Sequence, residues 1–283
     1  MSLNNRDKRV SHLGKVLLTG AGPGDPELLT LKALKAIQTS DIIVYDNLVS
    51  DEIKALFPSQ TLTINVGKSK GNHSSTQTEI NEILIYHALN GSSICRIKGG
   101  DPFIFGRGGE EMIELTNCGI EVEIIPGITS ASGCTSYSNI PLTHRGVSQG
   151  CTFITAHAEK QLSVNWQALA QLNQTIVVYM GLSKTDEITQ HLVDAGLSKE
   201  TPVALIEKGC CPEQRTIRGT LSKLTSLKQK YDVRSPALIV IGEVVNIHTQ
   251  LEEHAELDSQ FAFLYQQDFG KRPVTPSAVQ ETI

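Results

Sequence analysis

The sequence predicts an α/β fold on a largely parallel sheet. Two observations carry this: short runs rich in Val and Ile alternate with helix-like stretches, and glycine-rich turns follow several of those runs. Composition agrees, since the 283 residues are 40% hydrophobic and 19% charged, the mix of a globular chain. A chain of this length buries a core without disulfide staples.

The elements follow in order. Val16-Leu17-Leu18 reads as a strand leading to Gly20. A helix comes next, in which Leu28, Leu31, Leu34 and Ile37 share a face with Leu29, Ala33 and Ala36. Ile42-Ile43-Val44 is a second buried strand and 62–66 a third. Ser74-x-x-Gln77 reads as a capping box opening a helix through Ile80, Ile83 and Leu84. Residues 94–97 form a fourth strand, 108–117 a helix and 122–125 a fifth strand. Pro141 and the polar stretch 143–150 interrupt the pattern, which places a boundary between a first domain over 15–142 and a second over 143–250. The second restarts with strands near 152–155, 175–179, 203–206 and 238–241, and Ser183-x-x-Asp186 caps the helix between its second and third strands. The tails, 1–14 and 251–283, lack a convincing apolar period and are expected to be poorly ordered.

Charge and cysteine usage exclude several classes. The net charge is −5 with Lys and Arg scattered, so no nucleic-acid tract is present. The longest apolar runs, such as 238–241, are strand-length and far too short to span a bilayer. The polar start, Asn4 to Lys8, has no signal-peptide stretch, and a cytoplasmic location is expected. Cysteines at 95, 118, 134, 151, 210 and 211 form no C-x-x-C and no zinc spacing, which predicts buried, reduced thiols. The adjacent Cys210 and Cys211 are an unusual pair.

Three segments carry candidate chemistry. Gly20-Ala21-Gly22-Pro23-Gly24-Asp25-Pro26 follows a strand and precedes a helix, where a ligand at the carboxyl edge of a parallel sheet would sit. It is not a dinucleotide fingerprint, because Asp25 stands where the third glycine belongs. Taken alone, a plain tight turn explains it equally well. Within Lys98 to Gly109, the eleven residues from Gly99 hold five glycines, which suits close backbone approach to a ligand, with Asp101 able to orient a hydroxyl or ammonium. Pro126 to Ser132 opens a helix with small residues, fitting either ordinary capping by Thr129 or Ser130 or a polar ligand end. Three such turns at the ends of strands in one sheet describe one crevice floor for a nucleotide-like molecule.

These residues resemble a known family. GAGPGDPELLT (20–30), YDNLVS (45–50), VGK (66–68), RIKGGDPFIFGRGGEE (96–111), PGITSASG (126–133) and IPLTHRG (140–146) resemble the tetrapyrrole methylases, and within them the uroporphyrinogen III C-methyltransferases. VVYMGL (177–182), EKGCCPEQR (207–215) and SPALIVIGEVV (235–245) continue the match in the same order, with departures at Ser69 and Ala156. The resemblance implies a homodimer of two α/β domains, the first sheet mostly parallel and the second mixed, with a cofactor cleft between them. It implies S-adenosylmethionine as methyl donor, with contacts at Pro23, Gly99, Gly100, Asp101, Ile104, Thr129, Ser130, Met180 and Gly209, and at Ala237 as a weaker candidate. It assigns Asp46 as proton acceptor and Lys68 as proton donor, and implies no metal.

The implied reaction is C-methylation of uroporphyrinogen III at carbons 2 and 7, giving precorrin-2 for sirohaem or cobalamin. A substrate with eight carboxylates calls for cations, and Arg107, His144 and Arg145, inside matched motifs, are the candidates, with Lys68 and Arg215 beside them. Met180 on pattern alone reads as core packing. Another precorrin methylase, a nicotinamide-dependent oxidoreductase and a non-catalytic S-adenosylmethionine-binding regulator are the alternatives. Asp25 disfavours the oxidoreductase, and intact Asp46 and Lys68 disfavour the regulator. Without a dehydrogenase and ferrochelatase module, the chain is expected to stop at the methylated product.

Overall fold

The apolar runs become strands, and the inner strands of the first sheet are covered on both faces. The computed structural model describes residues 13–67, 76–157 and 164–247. In it, β1 (Lys15–Gly20), β2 (Ile42–Tyr45), β3 (Leu62–Asn65), β4 (Ile94–Lys98) and β5 (Glu121–Ile125) pair in the order β3-β2-β4-β1-β5, every pair parallel. On one face Leu17, Ile43, Cys95 and Ile97 pack with Ile37 of α1 (Leu31–Thr39) and Ile53 of α2 (Asp51–Lys54). On the other, Val16, Leu18, Val44 and Ile94 pack with Leu84 of α3 (Gln77–Leu89) and Leu115 of α4 (Gly108–Asn117). Burial on both sides is why β1, over residues 16–18, and β2, over residues 42–44, are continuous apolar runs without alternation. Each fully buried Leu or Ile contributes roughly 1.5–3 kcal/mol, so these two layers dominate the stability of the first sheet.

After β5 the chain enters α5 (Ser130–Tyr137), which packs Ala131 and Cys134 onto the second sheet, against Val177, Ala204, Ile206, Leu238 and Val240. That sheet comprises β6 (Cys151–Thr155), β7 (Thr175–Tyr179), β8 (Pro202–Glu207), β9 (Arg215–Thr220) and β10 (Ala237–Ile241), in the order β6-β7-β10-β8-β9. Only β6 and β7 run parallel. Its other face carries Ile176, Val178, Leu205 and Ile239, covered by α6 (Trp166–Gln171), α7 (Thr185–Asp194) and α8 (Leu224–Lys230). The described residues up to Val245 belong to one compact unit. No helix among the described residues is long and apolar enough to cross a membrane.

Several local expectations are corrected. The helix expected to include Leu28 begins at Leu31, because two caps follow one another. Asp25 accepts from Glu27 N at 2.8 Å and opens a single 3-10 turn, Pro26–Leu28; Thr30 then accepts from Ala33 N at 3.0 Å. Leu31, the first helical residue, is 86% exposed. The capping box of α3 is Thr76 with Glu79, whose reciprocal bonds measure 3.2 and 2.6 Å, and not Ser74 with Gln77. Gln77 is the first helical residue and turns its amide to Glu111 and Asn81, and Ser74 lies outside the described residues. Ser183 sits within a 3-10 turn, Leu182–Lys184, so Lys184 occupies the cap of α7 and makes no side-chain cap bond. Strand β9 was not anticipated: Ile217 is its only buried residue, so it presents no apolar run. The thiols are free, but only Cys95, Cys134 and Cys210 are buried, while Cys118 is exposed. Most of both expected disordered tails lies outside the described residues.

Candidate active site

The turns after β1, β4 and β5 interlock. Ala21 N donates to Lys98 O at 2.8 Å, and Gly22 and Gly100 exchange bonds of 3.1 and 2.7 Å, extending the pairing beyond the sheet. A Cβ on Gly20 would stand 2.5 Å from Gly127 N, and one on Gly127 2.3 Å from Gly100 O. Gly106 and Gly108 would meet Pro102 O at 2.7 and 2.6 Å. The expectation that the glycines of 98–109 make room for a ligand is therefore corrected at Gly106 and Gly108, where the room is taken by neighbouring backbone. Gly100 differs: its φ of +70° is what glycine alone adopts without strain. Asp101 accepts from Phe103 N at 2.8 Å and from Gly127 N at 3.0 Å, so its carboxylate ties the β4 turn to the β5 turn.

Above these turns lies a cavity of about 790 Å³ at the carboxyl end of the parallel sheet. Pro23, Gly99, Gly100 and Ser130 line it from the first sheet's side, and Met180, Gly209 and Ala237 from the second's. The other three expected donor contacts, Asp101, Ile104 and Thr129, are not in its wall. Asp101 is the tie just described, and Ile104 lies in the same loop, 36% exposed. Thr129 turns its hydroxyl to Tyr179, 2.6 Å away. The pattern-based reading of Met180 as core is corrected: it is 48% exposed, and its φ of +55° turns it out of the line of β7 into the cavity wall. A left-handed non-glycine residue is costly and concentrates at functional positions.

Sequence reasoning missed Tyr179. Its oxygen also accepts from Ala131 N at 2.9 Å, and its ring contacts Phe105 and Phe153, with centroids 4.8 and 5.9 Å away. Burial holds its phenol above the ordinary value. An aromatic residue ending a strand beside Met180 was the available signal.

Asp46, just past β2, accepts from Leu48 N at 3.0 Å, and its other oxygen lies 3.7 Å from the Arg96 guanidinium. Arg96, 2% exposed, belongs to a buried charge cluster. It lies 3.4 Å from Glu111 Oε1, to which Lys98 Nζ donates at 2.7 Å and Gln77 at 3.1 Å. Two cations thus meet two carboxylates. Burial alone would raise the Glu111 carboxyl, but Arg96 and Lys98 outweigh it and hold the group below its ordinary value. Lys98 is lowered, chiefly by burial and then by Arg96. Lys68, the second expected catalytic residue, lies outside the described residues.

The expected substrate cations do not line the cavity. Arg107 is left-handed at φ +58° before α4 and places its fork on Glu110, at 2.9 and 2.6 Å. His144 and Arg145 are exposed in the turn between α5 and β6, where His144 Nδ1 lies 2.9 Å from Arg145 O. Arg215 pairs with Glu207 on the adjacent strand.

Comparison with known proteins agrees with this architecture. The model of the tetrapyrrole (corrin/porphyrin) methylases matches residues 15–225. The siroheme synthase of Acinetobacter baylyi is 49% identical over 240 residues, 84% of this chain and 52% of that protein. The chain thus spans about half the length of the curated relatives it matches. A uroporphyrin-III C-methyltransferase from Thermus thermophilus, solved with S-adenosyl homocysteine, is 36% identical. It superposes with a TM-score of 0.72 over 83% of this chain and 94% of that one. A cobalt precorrin-4 methyltransferase is 27% identical with a TM-score of 0.73, over 82% of this chain and 95% of that one. With two α/β sheets in this order and a family match over most of its length, the chain belongs to the tetrapyrrole methylase family of enzymes.

Proposed function

We propose that the chain is an S-adenosylmethionine-dependent C-methyltransferase that methylates uroporphyrinogen III at carbons 2 and 7, giving precorrin-2 for sirohaem or cobalamin synthesis. The cavity carries the reading. Its volume suits a nucleoside-sized ligand, and it lies at the carboxyl end of a parallel sheet, where such ligands bind. Seven of the residues that the sequence match gives to the donor line it. They suit that donor: Gly99 and Gly100 offer backbone, Ser130 a hydroxyl, and Met180 and Ala237 apolar surface. The names of the relatives, siroheme synthase and uroporphyrin-III C-methyltransferase, support the substrate.

The chemistry asks little beyond alignment. A sulfonium donor is already activated, and the reduced pyrrole carbon is nucleophilic. The protein chiefly holds carbon and methyl within about 3–3.5 Å, in line with the departing sulfur. A proton must then leave or shift, which is the work given to Asp46 as acceptor and Lys68 as donor. Arg96 stands where it holds the Asp46 carboxylate in place. Arg107, His144 and Arg145, which lie outside the lining of the donor cavity, are assigned to the substrate carboxylates, and the working form is a homodimer.

The test is to incubate the protein with methyl-labelled S-adenosylmethionine and uroporphyrinogen III and to count methyl groups in the product. Two methyls at carbons 2 and 7 are expected. Transfer only to an already methylated precorrin would favour the later precorrin methylases, and tight NAD binding without transfer would overturn the reading.

A further inference from the structure

Two glycine–cysteine pairs pack against each other beside the cavity, and Cys134 and Gly209 of these four residues line it. Gly133 and Cys134 belong to α5, and Gly209 and Cys210 to the turn after β8. The fit is reciprocal: a Cβ on Gly209 would stand 2.1 Å from Cys134 Sγ, and one on Gly133 would stand 3.2 Å from Cys210 Sγ. Each sulfur rests on the glycine that precedes the other. The two thiols are thereby brought into hydrogen-bond contact, which holds Cys210 below the ordinary thiol value and Cys134 above it. Cys134 is thus the donor and Cys210 the sulfur closer to thiolate.

Both thiols are nearly buried, at 5% and 3% exposure, yet Cys134, Gly209 and Cys211 all line the cavity. A molecule as small as a peroxide that enters the cavity reaches its wall at Cys134, beside which Cys210 lies buried. The turn carrying Cys210 is itself under backbone strain, with Lys208 at φ +47° and Cys210 at φ +58°. It is held by Lys208 N to Pro236 O at 3.0 Å and by Cys210 N to the Gln214 side chain at 2.6 Å.

We propose that Cys134 and Cys210 are a peroxide-sensitive dithiol whose oxidation closes the donor cavity. The closing effect rests on the reading of that cavity given above. In the first step the Cys210 sulfur attacks hydrogen peroxide, forming a sulfenic acid and releasing water. In the second, the Cys134 sulfur attacks the sulfenic sulfur, the disulfide forms and a second water leaves. The two thiol hydrogens go into the waters, and two electrons pass from sulfur to peroxide. The bond draws the two sulfurs to about 2 Å of one another. Cys134 Sγ already fills the space beside Gly209, so the packing has no slack. The strained turn must move, and it carries Gly209 and Cys211, both in the wall, with it.

The experiment treats the reduced full-length protein with hydrogen peroxide. Bridged peptides are mapped by mass spectrometry, and S-adenosylhomocysteine binding is followed by calorimetry before oxidation, after it and after dithiothreitol. The expected result is one intramolecular bridge between Cys134 and Cys210, with affinity at least tenfold weaker and restored by the reductant. Prior saturation with S-adenosylhomocysteine slows bridge formation. Cys134→Ser and Cys210→Ser each abolish the response, whereas Cys211→Ser still forms the bridge. Absence of the bridge, or a bridge that leaves affinity unchanged, overturns the proposal. Reduced protein that ignores S-adenosylhomocysteine refutes the donor reading and with it the closing effect, while failure of the bridge alone refutes only the dithiol.

Discussion

The phenol oxygen of Tyr179, at the end of β7, lies 2.6 Å from the hydroxyl of Thr129 at the head of α5. A side chain of the second sheet thereby closes the first turn of a helix that issues from the first sheet. Tyr179→Phe keeps both ring contacts and removes the hydroxyl, which strands Ala131 N–H as well. We expect a loss of about 1–3 kcal/mol in urea unfolding, the usual cost of an orphaned buried donor. Affinity for S-adenosylhomocysteine should fall too, since Ser130 and Met180 flank this contact. An unchanged unfolding midpoint would show that the hydroxyl does not link the sheets.

Asp46→Asn keeps an oxygen for Leu48 N but removes the charge facing Arg96. Together with Lys68→Met it should leave S-adenosylmethionine affinity nearly unchanged and slow turnover about 10²–10⁴-fold, the usual contribution of one acid or base. Wild-type turnover in both variants would remove the acid and base assignments.

Met180→Ala separates a wall residue from a core one. A core methionine cut to alanine loses about 2–5 kcal/mol, and Met180, 48% exposed, should lose far less. The expected outcome is a small drop in melting temperature without ligand and a clearly weakened rise on adding S-adenosylhomocysteine. A large apo loss with unchanged affinity would return Met180 to the core.

Glu111 is fully buried, and Glu111→Gln leaves Arg96 and Lys98 short of a carboxylate. Removing one partner of a buried ion pair costs about 3–5 kcal/mol. The carboxyl is held below its ordinary value of 4.5, so its stabilisation is complete above that pH and drains away as pH falls through the lower folded value. Unfolding curves at several pH values should show the wild type losing stability in this acid window, and the Gln variant losing less there.

The strands were legible because burial on both faces leaves continuous apolar runs such as Ile42 to Val44. β9 was not, since an edge strand with Ile217 as its one buried residue carries no such run. Helix starts failed wherever two candidate caps compete, as at Asp25 and Thr30, because local hydrogen bonds decide between them. In the site, Pro23, Gly99, Gly100 and Gly209 were named through motif resemblance, and for Pro23 the pattern alone allowed a plain turn. Met180 was illegible by period, because a left-handed residue at a strand end leaves no mark in the apolar pattern. The buried cluster was hidden for a related reason: nothing local pairs Arg96 and Lys98 with Glu111, which meets them only once α4 is folded against β4.

Helix α5 has a consequence for how the molecule can be made. Its Ala131 and Cys134 are the docking platform for the inner face of the second sheet. A fragment holding only residues 143–247 would turn Val177, Ala204, Ile206, Leu238 and Val240 to water, a stripe that invites self-association. During synthesis from the amino terminus, the platform emerges before any strand that needs it. The order in which ribosomes deliver the chain is therefore the order in which its surfaces become useful to one another, and a circular permutant beginning near residue 143 would reverse it.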